Sequence, residues 1–560
     1  ATWRARGAMS QGTQPLALCS RHMFLDRAHP DVEAAIVIEG GRISTVCSRD
    51  ELAGISPKAR IQDYGDAFLC PGFHDAHQHV FHTALFASPL ICACAGTSED
   101  ECVRLLREAT SRSAGGVRDH AGTGGKWLVG QGWRSALWDP PLAPTRASLD
   151  RAFPNRPVAL YSGDLHALWV NTRGLEELGI TEDSEAPTGG SFDRDEGGRP
   201  TGVLREAASM VYAARVCADL PRDEVTRAYR GHFQASLSQG VTSVCDMALC
   251  ALPGVDYVYE DLYEELLAAG ELPVRINLFP QNVGDFKRIE SLQVRLTGDL
   301  LRAPGTKQFF DGVSSAHTAW LHEPYVNPRF EGDCGRATID PALMRDYVLA
   351  AAERGIATRV HAIGDKAVSS AIDIFREAKR RYGMPRQGAN SIEHVEGLSH
   401  ADVAAMADIG LVASVQPQHI VIDVGQPVRD LGTRRASFMW PFASFDEAGV
   451  AMAFGTDAPC VPDVAMQVLS CAVTREEART CEPRGGWLPE QRVTMATAID
   501  AYTRGSAKVA GREAELGTLA AGKLADLAVF DTNLMCADPE AIQGTRALAT
   551  YVGGRLAWEA

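Results

Sequence analysis

The sequence predicts an α/β protein whose main unit is a (β/α)8 barrel. Eight short apolar runs alternate with stretches that carry helix start and stop signals, and this alternation is typical of parallel barrels. Residues able to carry chemistry follow several of the runs. The runs are Ala67–Cys70, Val241–Cys245, Val274–Phe279, Thr306–Phe310, Ile356–Val360, Ser391–His394, Leu411–Val415 and Val450–Phe454. An open, doubly wound sheet is the alternative fold.

The helices between the runs are predicted from their capping residues. Asp340 is a typical N-cap, Pro341 suits the first helical position, and Gly355 suits the stop. Ser399, with Asp402 three residues later, forms the pattern of a capping box for a helix that ends at Gly410. A further helix is expected over Val258–Ala269, ahead of Gly270.

The two ends of the chain resemble each other. Strand-like residues flank Gly40-Gly41 near the start and Gly553-Gly554 near the end, and Leu524–Phe530 adds a further short strand. We therefore expect a small composite β-sandwich from both termini. The expected division is 1–66 for its first part, 67–510 for the barrel with a large insertion at about 84–220, and 511–560 for its second part.

Composition and charge narrow the class of protein. The 560 residues are 45% hydrophobic and 22% charged, which suits a soluble globular chain with a large core. A net charge of −16 argues against nucleic acid and anionic membrane as partners, because both attract a positive surface. The first residues lack the apolar core of a signal peptide, and the fourteen cysteines form no CxxC, so we expect reduced thiols and a cytoplasmic enzyme. Its partner would be a small-molecule substrate, and a homodimer is left open.

Histidines and an aspartate cluster where the runs end. His77 and His79 are two apart, so on extended backbone both rings face the same side and suit one metal ion. Fifteen histidines in 560 residues give about 0.4 such pairs by chance. The pair alone is therefore weak evidence for a metal site. His361 follows the fifth run, His394 ends the sixth and Asp457 follows the eighth, and barrel active sites are built from such positions.

Lys307 lies within the fourth run, where a buried ammonium beside metal ligands is costly. Reaction of its amine with CO2 would give a carbamate anion able to bridge two cations. A surface lysine on a half-exposed strand is the alternative.

Together these strings resemble the amidohydrolase superfamily. The resemblance begins with the motif Pro71-Gly72-Phe73-His74-Asp75-Ala76-His77-Gln78-His79. His74 departs from the family pattern, because this position is usually apolar. We expect His74 to have a packing role or a role behind the metal ligands. Finer strings resemble the YtcJ-like branch, which includes N-substituted formamide deformylases. These are Gly130–Trp133, Asp164–Asn171, Pro200–Glu206, Lys307–Gly312, His361–Asp365, Ile392–His394, Gln416–His419 and Gly522–Leu527.

The resemblance implies a binuclear metal centre in a barrel with a composite β-sandwich. His77, His79 and Asp457 would hold one divalent metal ion, His361 and His394 the second, and a carboxylated Lys307 would bridge them. Zinc suits these ligands best, although iron, manganese and nickel stay open. A metal-bridging hydroxide would attack the substrate, with Asp457 as its proton acceptor.

The implied activity is hydrolysis of a C–N bond, other than a peptide bond, in a small amide such as an N-substituted formamide. A cyclic amide or imide, an ester or a lactone stays open on the same site. A mononuclear deaminase is disfavoured because Gly364 stands where an HxxE signature needs glutamate. A serine hydrolase is disfavoured because the sequence contains no Gly-x-Ser-x-Gly motif. A metal-free structural relative should have lost ligands, and all six are present.

Other residues are weaker candidates for substrate contact. Asp311 lies four residues beyond Lys307 on the same strand face, and His317 and His419 lie in loops after the fourth and seventh runs. Asp164, His166, Trp169 and Glu206 belong to the insertion, which could cover the barrel mouth. A hydrogen-bonded cluster that holds the insertion onto the barrel is the alternative for these four.

Overall fold

The computed structural model describes residues 14–112, 125–163, 165–250, 252 and 254–560. The strands are β1 Leu16–Met23, β2 Val32–Glu39, β3 Arg42–Cys47, β4 Arg60–Asp63, β5 Phe68–Pro71, β6 Phe73–Gln78, β7 Cys92–Ala93, β8 Leu128–Trp133, β9 Val158–Ser162, β10 Ala167–Val170, β11 Gly190–Arg194, β12 Pro200–Glu206, β13 Val241–Met247, β14 Arg275–Phe279, β15 Leu301–Arg302, β16 Gly305–Phe309, β17 Ala357–Ala362, β18 Ser391–His394, β19 Val412–Val415, β20 Met452–Phe454, β21 Leu527–Phe530, β22 Ala547–Val552 and β23 Arg555–Glu559.

The helices of the described residues alternate with many of these strands. They are α1 Leu52–Ile55, α2 Val80–Phe86, α3 Glu99–Arg112, α4 Arg146–Ala152, α5 Thr172–Leu178, α6 Ala207–Ala218, α7 Arg222–Leu237, α8 Glu260–Ala268, α9 Lys287–Arg295, α10 Pro341–Glu353, α11 Asp365–Tyr382, α12 His400–Ile409, α13 Gln426–Ala436, α14 Phe442–Ala448, α15 Ala465–Thr474, α16 Met495–Asp500, α17 Ser506–Val509 and α18 Pro539–Gly544. Within these described ranges, no helix is both long enough and apolar enough to cross a membrane.

Two parallel sheets make up the centre of the fold. One has the order β15-β14-β13-β6 and the other the order β16-β17-β18-β19-β20. Backbone hydrogen bonds connect the two sheets at both edges. At one edge Lys307 N donates to Pro280 O at 2.9 Å, and at the other Asp457 N donates to His77 O at 2.7 Å. The carboxyl ends of these parallel strands therefore lie on one side of the molecule.

A third sheet joins strands from both ends of the chain. Its order is β23-β22-β21-β5-β1-β2-β3, with β4 paired to β1. The sequence prediction that Ala67–Cys70 is the first strand of the parallel set is wrong. That segment falls in β5, which pairs with β21 and β1, whereas the parallel set begins with β6. The two-layer sandwich and the domain boundaries stay predictions.

The long segment between β6 and β13 carries a sheet of its own. Its order is β11-β12-β10-β9-β8-β7, and its described residues enclose an apolar core around Trp133 and Trp169. A large insertion was expected at this place in the chain.

The local helix signals are confirmed. Asp340 accepts from the N–H groups of Ala342 and Leu343 ahead of α10. Ser399 and Asp402 form the expected capping box of α12, and Gly410 ends that helix with φ 68°. The third helix is shorter than expected, since α8 begins at Glu260 rather than Val258.

Candidate metal centre

His77, His79 and Asp457 lie together at the carboxyl ends of β6 and β20. His77 lies in β6, which is buried throughout, and His79 directly follows that strand, while Asp457 stands just past β20 with φ 60°. Asp457 Oδ1 lies 3.1 Å from His79 Nε2 and 3.4 Å from His77 Nε2. The three side chains are buried, so their nitrogen and oxygen atoms form one compact cluster.

The Nδ1 atoms of His77 and His79 are hydrogen-bonded within the protein. His77 Nδ1 donates to Glu393 Oε2 at 2.6 Å, and His79 Nδ1 donates to Met247 O at 2.8 Å. These hydrogen bonds fix the tautomer in which Nε2 carries the lone pair. Both Nε2 atoms therefore face Asp457 as potential metal ligands.

Glu393 is itself held by a buried arginine. Arg359 Nε and Nη2 each lie 2.9 Å from a Glu393 carboxylate oxygen, and Nη2 also donates to Ser414 Oγ at 2.9 Å. Arg359 and Glu393 are completely buried. Burial alone raises the pKa of Glu393, but Arg359 and His77 hold that pKa well below its usual range. Glu393 is therefore a charged acceptor behind His77.

Asp457 belongs to a second cluster with His394 and His419. The rings of His394 and His419 are nearly parallel, with centroids 5.7 Å apart. His419 Nε2 lies 3.3 Å from Asp457 Oδ2 without the alignment of a hydrogen bond, so this nitrogen is available to a ligand. His419, expected in substrate contact, thus lies among the candidate metal ligands.

His361 and Lys307 lie at the edges of these clusters. The His361 ring is 4.4 Å from that of His394, and its Nε2 is 3.3 Å from Gly312 O. Lys307 Nζ is 3.3 Å from His77 Nε2 and completely buried. The pairing of His361 with His394 on a second metal, and the bridging role of Lys307, stay predictions.

Burial controls the charge of the site. Burial lowers the pKa of His77 and of His361 to about 3, with the Lys307 charge as the next cause. Burial also lowers the pKa of Lys307 to about 8. Burial alone raises the pKa of Asp457, but His77 and contacts from His419 and His79 hold that pKa well below its usual range. His77 and His361 are therefore neutral imidazoles, and Asp457 is a charged carboxylate.

These residues fit a divalent metal ion. Neutral imidazole and carboxylate are the donors that zinc and similar metals bind. The buried Nδ1 atoms of His361 and His394 have no hydrogen-bond partner among the described residues, and a buried polar atom without a partner is costly. A cation at the cluster would satisfy such nitrogens.

Asp311 and His317 are held by the protein itself. Asp311 accepts from the N–H groups of Trp320, Ile363 and Gly364 at 2.8–3.0 Å, although burial still raises its pKa to about 8. His317 stacks on Tyr325 at 4.2 Å, and its Nδ1 lies 2.9 Å from Asp333 Oδ2. Both side chains thus organise loops, and substrate contact stays a prediction.

The candidates from the insertion divide into two groups. Trp169 is fully buried and donates to Thr145 O at 3.0 Å, a bond within the insertion itself, and its contact with substrate stays a prediction. His166 Nδ1 lies 2.9 Å from Glu206 Oε2, and this pair is more exposed. Asp164 lies outside the described residues.

Sequence reasoning missed Arg359 and quoted Asp75 and Glu393 only as parts of motifs. Arg359 stands two residues before His361, so strand alternation could have placed it on the inward face. Asp75 accepts from Thr456 Oγ1 at 2.7 Å and from His77 N at 3.0 Å, which fastens β6 to the loop of Asp457. His74, as expected, is fully buried behind the ligands, 3.5 Å from Cys245 Sγ.

Fold and site together define an α/β protein with a histidine-rich candidate metal centre at the carboxyl ends of parallel strands. The family described as "Amidohydrolase family" matches residues 60–557. The chain therefore belongs to the amidohydrolase family, and the resemblance seen in the motifs is confirmed.

Three curated relatives match nearly the whole chain. The chain is 27% identical to the protein LONG AFTER FAR-RED 3 of Arabidopsis thaliana, over 93% of this chain and 88% of the relative. It is 26% identical to the putative amidohydrolase YtcJ of Bacillus subtilis, over 94% and 96% of the two chains. It is also 26% identical to the N-substituted formamide deformylase of Arthrobacter pascens, over 94% and 95%.

Solved structures share the fold. An uncharacterized metal-dependent hydrolase from Pyrococcus furiosus is 24% identical and superimposes with a TM-score of 0.72, covering 94% of this chain and 100% of that one. An atrazine chlorohydrolase from Arthrobacter aurescens, complexed with zinc, is 16% identical with a TM-score of 0.52, covering 97% and 94% of the two chains.

Proposed function

We propose that this protein is a metal-dependent hydrolase that cleaves the C–N bond of a small amide, with N-substituted formamides as the first choice. The observation that carries the proposal is the buried cluster of His77, His79 and Asp457, whose free nitrogens converge on one carboxylate. The relative that is an N-substituted formamide deformylase supports the choice of substrate.

The proposal includes the finer architecture. Strands β6, β13, β14 and β16–β20 form one eight-stranded barrel with its active site at the carboxyl ends of the strands. The backbone hydrogen bonds at both edges of the two parallel sheets support this closure.

The site holds two divalent cations, with zinc as the first candidate. His77, His79 and Asp457 would hold one cation and His361 and His394 the other, with carboxylated Lys307 as a further ligand. Zinc is favoured by the imidazole and carboxylate donors and by its presence in the chlorohydrolase of similar fold. When bound, the cations supply Lewis acidity, which lowers the pKa of water and polarises a carbonyl.

The protein's own residues prepare and move the proton. Glu393 and Met247 hold the rings of His77 and His79 so that both Nε2 atoms point at Asp457. Asp457 Oδ2 accepts the proton of the attacking water and passes it to the departing nitrogen. Lys307 is buried with a lowered pKa, so a larger fraction of its amine is neutral and able to react with CO2.

The role of Asp457 is tested with Asp457→Asn. An amide cannot accept the proton of water, so we expect kcat to fall by about 10²–10⁴-fold while at least one metal ion stays bound. Metal content and kcat are measured together on a panel of formamides, cyclic imides and lactones. A metal-bound variant with near-normal kcat would contradict the role of Asp457, and a wild-type enzyme inactive on every amide would contradict the choice of substrate.

A further inference from the structure

Gln416 is a buried amide without a hydrogen-bond partner. Its side chain is 1% exposed, and neither Oε1 nor Nε2 bonds to any described residue. A buried amide in this condition costs free energy, because both polar atoms have lost water and gained nothing. A buried polar group of this kind calls for a partner, such as an ordered water, an ion or a ligand.

The strand before Gln416 shows where its side chain points. Ser414 Oγ accepts from Arg359, which also binds Glu393 behind His77, so Ser414 faces the interior enclosed by the parallel strands. Val412, two residues earlier, packs in the same interior with Ala76 and Ala453. Gln416 has an extended backbone, with φ −118° and ψ 95°. Alternation therefore directs Gln416 inward, one step beyond Ser414 toward the carboxyl ends of the strands.

Gln416 is also beside the candidate metal centre. Gly455 N donates to Val415 O at 3.2 Å, so the residue after Val415 lies next to the segment that leads to Asp457. The backbone carbonyl of Gln416 accepts from His419 N at 3.0 Å, which fixes the loop that carries His419. Gln416 thus lies on a held backbone next to the segment that leads to Asp457.

The Oε1 atom of the neighbouring Gln418 also lacks a partner among the described residues, but the Nε2 atom of Gln418 is held. Gln418 Nε2 donates to Pro462 O at 3.1 Å and to Gln467 Oε1 at 3.0 Å, so that amide fastens two loops together. The two glutamines of one short segment therefore have separate tasks, and Gln418 offers a matched control.

We propose that Gln416 determines specificity for secondary amides: its Oε1 accepts the N–H of the scissile amide. This inference rests on the proposed function and names the feature of the substrate that the site reads. A secondary amide carries an N–H donor, whereas an ester or a tertiary amide does not. A site built to hydrogen-bond a substrate group discriminates strongly against the analogue that lacks it.

The test compares three substrates on wild-type and Gln416→Met enzyme, both loaded with metal. The substrates are the secondary amide that the wild type hydrolyses best, its N-methylated tertiary analogue and the matching ester. Methionine keeps the length of the side chain without its hydrogen bonds. We expect kcat/KM for the secondary amide to fall by about 10–100-fold and kcat/KM for the ester by less than about 3-fold.

Two further readouts separate this role from a structural one. Removing an amide without partners should leave the melting temperature unchanged or raise it, whereas Gln418→Met should lower it and keep the amide-to-ester ratio. On wild-type enzyme, N-methylation of the substrate should itself lower kcat/KM, and this penalty should shrink in Gln416→Met.

Equal losses on amide and ester, an unchanged amide rate, or loss of metal from Gln416→Met would each overturn the inference while leaving the proposed hydrolase intact. A wild type that hydrolyses esters but no secondary amide would overturn it too. If the metal-loaded wild type hydrolyses neither, the proposed function fails and the inference fails with it.

Discussion

Both nitrogens of the His77 ring have defined neighbours. Nδ1 bonds to Glu393, while Nε2 faces Asp457 and Lys307. The ring is therefore oriented by the protein before any cation binds, as partners behind a ligand generally do. Sequence could identify His77 and His79 because they stand near a strand end, but the contact with Glu393 joins residues 316 positions apart. No local pattern predicts such a contact.

The proposed carbamate of Lys307 can be tested by substitution. If its carbamate bridges two cations, Lys307→Ala should lose metal and activity, and added bicarbonate or short carboxylates should restore part of both. Arginine in Lys307→Arg should not replace lysine in function, because a guanidinium stays charged and forms no carbamate. Metal content and kcat measure the effect, and wild-type turnover in Lys307→Ala would remove Lys307 from the mechanism.

At the scale of elements, β20 and β6 approach very closely at Gly455. A Cβ built on Gly455 would lie 2.4 Å from His77 N and 2.8 Å from His77 Cβ. The small residue is thus needed because the ligand-bearing backbone occupies the space where a side chain would be. Ala451 and Ala453, the alternate residues before Gly455, are also small and pack in the apolar cluster that contains Ala76.

Gly455→Ala should therefore displace His77 and lower both stability and metal affinity. Overpacking of this kind costs about 1–3 kcal/mol in the free energy of unfolding. Gly231→Ala is the control, since Gly231 lies in α7 with nothing within 4 Å of its built Cβ, and it should stabilise the protein by about 0.4–1 kcal/mol. Thermal unfolding and metal content distinguish them, and equal behaviour of the two variants would refute the close approach.

Elements differ in how far sequence could predict them. The capping box of Ser399 and Asp402 is a local signal, so the start of α12 was found correctly. An apolar run such as Ala67–Cys70 reveals a buried strand but not the sheet to which it belongs. Its pairing with β21, more than 450 residues later, depends on packing of the whole chain.

At the scale of the molecule, a buried ion pair joins the parallel strands to the sheet of the two termini. Arg275 in β14 binds both carboxylate oxygens of Asp526 at 2.6 and 2.7 Å, and both side chains are almost fully buried. Asp526 also accepts from Gly553 N at 2.7 Å. The motif that contains Asp526 was recognised in the sequence, and the structure gives its contacts.

Asp526→Ala should destabilise the protein strongly, because it leaves Arg275 buried without its counter-charge. Loss of one partner of a buried pair costs about 3–5 kcal/mol in the free energy of unfolding. The double variant Arg275→Met/Asp526→Leu should recover part of that loss, since it removes both charges. Denaturant unfolding measures the three proteins, and an Asp526→Ala variant as stable as wild type would show that the pair contributes little.

We propose that hydrolysis depends on divalent cations held by the histidine cluster. The most direct measurement is a titration of chelator-stripped protein with zinc, with bound metal and amide hydrolysis followed in the same samples. We expect no activity without metal and activity that rises to a plateau near two ions per chain, whereas His77→Ala/His79→Ala should lose all activity and most of one metal equivalent. Full activity in protein shown to contain no metal would contradict it.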